Sequence, residues 1–192
     1  MGVTGGVTFG LLAGGRATRL GGTDKAWLRR GGMSQVQRWQ QRFGAQVDTM
    51  LASSNGDSAP YAALGIRVVA DRVRDAGPLA GLEALAAACD TTWLLTLPVD
   101  LVGVNECLLP SLLSAAGGLG SFARDDDGPQ PLVALWRVEL LRPAVAASVH
   151  AGDFAVHLLQ ARLGMHEVHF AGVRYGNLNT PADLKAAGVA AP

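Results

Sequence analysis

Short apolar runs recur along this chain and alternate with longer stretches of helical periodicity. That alternation constrains the fold more than any other feature of the sequence. The runs lie at 7–12, 49–53, 66–70, 93–97, 120–123, 132–136 and 167–170, and the helical stretches at 34–43, 79–89, 105–116, 138–149, 153–163 and 181–187. A nearly unbroken apolar strand such as TWLLTL suits a sheet covered on both faces. Strands alternating with helices predict an α/β fold built on a doubly wound, mostly parallel sheet. The segment ARDDDGPQP at 123–131 reads as a turn between two strands. A hairpin there requires one late antiparallel strand. Ser34, Asp153 and Thr180 are candidate N-caps, with Pro181 and Asp183 following Thr180.

Composition narrows the function. The 192 residues predict one domain over 1–192, since no repeat or long linker divides them. Hydrophobic residues make up 49% and charged residues 17%, a globular composition. Sixteen basic residues balance sixteen acidic ones. A neutral chain has no global field to draw it to nucleic acid or to a membrane surface. No apolar run is long enough to span a bilayer, and MGVTGGVTFG does not resemble a signal peptide, so a cytoplasmic location is expected. Cys89 and Cys107 are read as reduced thiols without zinc-ligand spacing.

In open parallel sheets ligands bind at the carboxyl ends of the strands. The first such end carries GGRATRLGGTDK, residues 14–25. It is neither a Walker A loop nor G-x-G-x-x-G. Its glycines still let backbone N–H groups approach an anion closely. Arg16, Arg19 and Lys25 add three cations; Arg19 can grip phosphate oxygens with its fork and Lys25 can act as a point charge. The loop is read as a phosphate cradle.

Other strand ends carry further candidates. Asp100 follows Pro98, and Mg²⁺ needs only one or two protein carboxylates when nucleotide phosphates complete its shell. Position alone leaves a turn or cap aspartate equally open. Asp71 ends the run at 66–70, with pairing to Arg72 or Arg74 as the alternative. Gly77, Pro78 and Gly81 open a helix, where proline suits the first turn and glycine permits close approach. Asn177 and Asn179, taken alone, read as Asx turns. Arg124-Asp125-Asp126-Asp127 is read as a solvated hairpin tip, and the four histidines form no metal motif.

Five segments in order carry a resemblance. LAGG with R, GG and DK behind it, over 12–25, is similar to the signature of the molybdenum cofactor guanylyltransferases, members of a wider nucleotidyltransferase family. DAGPLAGLEAL, LTLPVD, QPLVALW and YGNLNTPADL resemble the family's later segments. The resemblance implies transfer of GMP from GTP to the phosphate of molybdopterin cofactor, releasing pyrophosphate, with Mg²⁺ on Asp100. It implies catalytic roles for Arg19, Lys25 and Asp100. It places the nucleotide on Leu12, Ala13, Gly14, Gly15, Lys25, Ser53, Asp71, Gly77, Pro78, Gly81 and Asp100, and the acceptor on Asn177 and Asn179. Molybdoenzymes or cofactor-insertion proteins are the further partners implied. Ser53 stands where the family usually has asparagine, with Asn55 nearby. Phe154 and Ala155 stand where it often has arginines. A related transferase using CTP or another phosphate acceptor, and an escort protein that binds without turnover, are the alternatives.

Overall fold

The computed structural model describes residues 5–14, 24–73 and 76–189. In chain order its elements are β1 (Val7–Leu12), a 3-10 turn (Lys25–Trp27), β2 (Arg29–Arg30), β3 (Met33–Ser34), α1 (Gln35–Phe43), β4 (Thr49–Ser53), α2 (Ala59–Ala62) and β5 (Arg67–Val69). Then come α3 (Pro78–Ala88), β6 (Trp93–Pro98), β7 (Leu101–Val102), α4 (Leu108–Ala115), β8 (Gly120–Asp125) and β9 (Gly128–Arg137). The chain continues with α5 (Val138–His150), α6 (Val156–Leu163), β10 (His166–His169), β11 (Gly176–Asn177) and α7 (Pro181–Ala186).

Seven strands form the central sheet in the order β10-β8-β9-β6-β1-β4-β5. Only β9 runs against its neighbours β6 and β8. The other pairs, β1 with β4 and β6, β4 with β5, and β10 with β8, are parallel. The sheet thus has the mostly parallel form with one late antiparallel strand that the sequence predicts.

The unbroken apolar strands reflect two covered faces. Phe9, Leu11, Trp93, Leu95 and Leu135 pack with Val36, Trp39 and Phe43 of α1 and with Leu108 and Leu112 of α4. Leu51, Leu94, Ala134 and Trp136 pack on the opposite face with Leu82 and Leu85 of α3, Leu141 of α5 and Leu159 of α6. Each such side chain contributes roughly 1.5–3 kcal/mol when fully buried. Thr96, a polar residue inside β6, is satisfied across the sheet. Its hydroxyl donates to the Leu132 carbonyl at 2.9 Å and accepts from Trp136 Nε1 at 2.8 Å.

Two predicted caps are present. Ser34 and Gln37 form a reciprocal capping box at α1, and Thr180 and Asp183 form one at α7. Asp153 does not cap α6. That helix begins at Val156 after Ala155, and Asp153 pairs with Arg162 instead.

The hairpin tip is narrower than expected. Strands β8 and β9 run up to a two-residue turn at Asp126 and Asp127. Asp125 is buried rather than solvated. Its carboxylate accepts from the backbone N–H groups of Asp127 and Gly128 at 3.0 Å and of Tyr175 at 2.7 Å. Burial alone would raise this carboxyl. The hydrogen bonds from Tyr175, Gln130, Asp127 and Gly128 outweigh burial and hold it below the usual carboxylate range.

Candidate active site

Strand register builds the site. Leu12 at the end of β1 pairs with Ser53 of β4 and Pro98 of β6, and Ser53 pairs with Val69 of β5. Four carboxyl ends therefore stop at one level. Three further hydrogen bonds fix the exits: Ala13 N–H donates to the Ser53 carbonyl, Ser54 N–H to the Val69 carbonyl, and Val99 N–H to the Leu12 carbonyl. The loops that follow enclose a cleft of about 1120 Å³. Leu12, Ala13, Gly14, Lys25, Ser53, Asp71, Gly77, Pro78, Gly81 and Asp100 all line it. Gly15 and Arg19 lie outside the described residues.

One wall is a hydrogen-bonded group around Asp71. Ser53 Oγ donates to Asp71 Oδ1 at 2.7 Å. Asn55 Nδ2 donates to Asp71 Oδ2, and Asn55 Oδ1 accepts from the Asp71 N–H, both at 3.0 Å. Arg72, one of the alternatives, grips Glu83 on α3 instead of Asp71, and Arg74 lies outside the described residues. Asn55 thereby ties the loop after β4 to the loop after β5.

The opposite wall centres on Lys25. Its ammonium donates to Asp100 Oδ2 at 2.7 Å and to Asn179 Oδ1 at 2.5 Å. About a fifth of each side chain of the Lys25–Asp100 pair is exposed to the cleft. The 3-10 turn holds Lys25 in place. Asp24 caps that turn by accepting from the Ala26 N–H at 2.9 Å, and Trp27 packs edge-on against Tyr61 at 4.9 Å. Burial, reinforced by the Asp24 charge, pushes the Tyr61 hydroxyl well above the usual phenol range.

The two asparagines separate. Asn179 reaches Lys25, whereas Asn177 is exposed in β11, paired with Leu101 of β7, and does not line the cleft. Phe154 is 41% exposed in the loop between α5 and α6 and also lies off the cleft lining.

Glycine matters here for two different reasons. Gly77 sits at φ +55°, a conformation that other residues adopt at a cost. Gly81 is needed for space: a Cβ there would lie 2.6 Å from Ser53 Oγ and 3.1 Å from Leu12 Cδ2. The first turn of α3 can approach the ends of β1 and β4 only without that atom.

Several lining residues were not legible as site residues, among them Ser54, Val73, Ala76 and Leu132. Leu132 owes its position to a register break. Phe122 pairs with Ala134 but Ala123 pairs with Gln130, so Pro131, Leu132 and Val133 bulge out of the β8–β9 ladder. Pro131, which has no N–H to donate, is the one signal of this in the sequence.

Known proteins resemble this chain in sequence and in fold. A family model described as a MobA-like NTP transferase domain matches residues 10–165. The chain belongs to the MobA-like NTP transferase family. A molybdenum cofactor guanylyltransferase of Cereibacter sphaeroides is 39% identical over 184 residues, covering 93% of this MobA-like chain and 94% of the relative. One from Yersinia pseudotuberculosis is 32% identical over 181 residues, with 92% of each covered. The crystal structure of molybdopterin-guanine dinucleotide biosynthesis protein A from Archaeoglobus fulgidus superposes with a TM-score of 0.69 at 17% identity, over 94% of this chain and 96% of that one. The fold is thus shared, and this MobA-like chain is a nucleotidyltransferase. Among its described residues no helix is long and apolar enough to cross a membrane.

Proposed function

We propose that this chain is a molybdenum cofactor guanylyltransferase, acting in the cytoplasm as one nucleotidyltransferase domain. The observation that carries the reading is the meeting of Lys25, Asp100 and Asn179. These residues lie 75 and 154 positions apart in pairs with Lys25, yet converge at the carboxyl edge of a family-typical sheet. A phosphate oxygen of the molybdopterin cofactor attacks the α-phosphorus of GTP. The new P–O bond forms as the bond to the β-phosphate oxygen breaks, and pyrophosphate leaves. Such transfers depend on alignment and charge stabilisation more than on covalent help.

Each wall then has a task. The backbone at Leu12, Ala13 and Gly14 and the Ser53–Asp71–Asn55 group hold the nucleoside. The chain over Gly77, Pro78 and Gly81 closes the same side. Lys25 sets its charge against the phosphates, and Arg19 has the same role on the strength of the sequence alone. Asn179, bonded to Lys25, stands on the acceptor side, and Asn177 lies outside this arrangement.

The donor set fits Mg²⁺. Asp100 is a hard oxygen ligand at the cleft, engaged to Lys25 through Oδ2. No group of three or more His, Cys, Asp or Glu is arranged to cage a metal among the described residues. That suits an ion held by one carboxylate together with nucleotide phosphates. Asp100 would hold the ion there, and the ion would supply positive charge against the triphosphate and the departing pyrophosphate.

The test is incubation of the protein with Mg²⁺, molybdopterin cofactor and either GTP or CTP, with chromatography of the products. A guanine dinucleotide product is expected. A cytidine product would transfer the reading to the CTP-using relatives, and nucleotide binding without pyrophosphate release would favour an escort protein.

A further inference from the structure

Asn179 owes its aim at Lys25 to a residue that the site itself does not include. The Asn179 side chain accepts from Lys25 Nζ, but nothing in an asparagine fixes where its amide points. The backbone does. Leu178 N–H donates to the Asp100 carbonyl at 2.9 Å, and Asn179 N–H lies 3.0 Å from the Asn177 carbonyl. The same Asn179 N–H also donates to Asp183 Oδ2 at 3.1 Å.

Asp183 is already occupied as a helix cap. Its Oδ2 accepts from Thr180 N–H at 2.8 Å, while Thr180 Oγ1 accepts from Asp183 N–H at 3.2 Å. That reciprocal pair completes a capping box. The bond to Asn179 is additional to it. It reaches the residue before the cap, outside the helix, and that residue is the one touching Lys25. Beneath it, Leu178 and Leu184 are buried with Leu28 and Val189, so the segment is anchored to the chain just past Lys25.

We propose that Asp183 is a positioning residue for nucleotidyl transfer: by holding the Asn179 backbone it aims the amide oxygen at Lys25 and so keeps the ammonium in the cleft beside Asp100. Asp183 does not line the cleft. Its carboxyl is held below the usual range, chiefly by the Thr180 hydroxyl and N–H and to a lesser degree by the Asn179 N–H and the Lys25 charge. This role rests on the cleft being the nucleotide site.

A plain helix cap and a positioning residue make different demands on variants. GTP affinity in the presence of Mg²⁺ is measured by titration calorimetry, alongside kcat, KM for GTP and the thermal midpoint. Asp183→Ala is expected to weaken GTP binding about five- to tenfold, the worth of one net hydrogen bond. Thr180→Ala removes the other half of the box and is expected to lower the thermal midpoint while leaving GTP affinity within about twofold. Asp183→Asn keeps an oxygen for both N–H groups and is expected to restore most of the affinity. In an Asn179→Ala background, Asp183→Ala is expected to add nothing further, because the residue it acts through is gone. Equal losses of GTP affinity in the Thr180 and Asp183 variants would overturn the proposal, as would full additivity with Asn179→Ala. Wild-type protein that binds neither GTP nor CTP would overturn the nucleotide-site reading and this role with it; normal wild-type binding with an unchanged Asp183→Ala variant would overturn this role alone.

Discussion

Lys25 and Asp100 neutralise each other at 2.7 Å in a partly exposed cleft, so each variant removes a working charge and leaves the other without its partner. Lys25→Ala and Asp100→Ala are expected to lower turnover about 10²–10³-fold, the scale of losing one preorganised electrostatic group. Circular dichroism should show the fold intact, because the partner left behind still borders the cleft, where water can hydrate it. Near-normal dinucleotide formation by either variant would overturn the assigned roles. Gly81 makes a different demand. Adding one carbon there forces Ser53 Oγ away, since the two would stand 2.6 Å apart. Ser53 then loses its bond to Asp71, and the nucleoside wall shifts with it. Gly81→Ala is expected to raise KM for GTP about tenfold with a smaller change in kcat, read from steady-state pyrophosphate release. A kcat loss with KM unchanged would mean that Gly81 serves the reacting phosphates rather than the wall.

The elements show how far local sequence reaches. The capping boxes of α1 and α7 were legible because a cap is a short-range device: Ser34 needs only Gln37, and Thr180 needs only Asp183. Ser34→Ala is therefore expected to cost about 1 kcal/mol in chemical denaturation. It should change GTP affinity less than the cleft variants do, since α1 meets the cleft only through the Gln35 and Trp39 hydrogen bonds to the Val99 carbonyl. The strand β4 was legible to the residue because a run buried on both faces has clear ends. Features set by distant contacts were not legible. Asp125, Asp126 and Asp127 look alike in sequence, yet Asp125 is buried because Tyr175 N–H, 50 residues away, needs an acceptor. The paired ribbons β2–β3 and β7–β11 are two residues per strand, too short for any period to register. The site followed the same division. Residues directly after strands, such as Asp71 and Asp100, could be located from the fold class. Asn55 was marked only as a stand-in for a missing asparagine, and Leu132 needed the bulge to reach the cleft.

On the scale of the whole molecule, Asp125 ties the β8–β9 hairpin to the segment that leads into β11. Its folded-state pKa lies below the ordinary value, so its stabilising contribution is complete above about pH 4 and is lost as pH falls further through the folded pKa. Asp125→Asn is expected to be less stable than wild type at neutral pH, and the gap should narrow on acidification below about pH 4. Urea titrations at several pH values measure it; a gap that widens in acid would contradict the clamp. The Lys25–Asn179 contact has a consequence for how the protein is made. The last strand of the central sheet ends at His169, and a nascent chain that has reached that point holds all seven strands and helices α1 to α6. Lys25 at that stage has Asp100 but not Asn179, which is still to be synthesised 154 residues after it. Closing so long a loop contributes nothing until its far end exists. Assembly of the Lys25 wall therefore trails synthesis of the sheet, and a chain interrupted between His169 and Asn179 would hold every strand of the central sheet with that wall of the cleft unfinished.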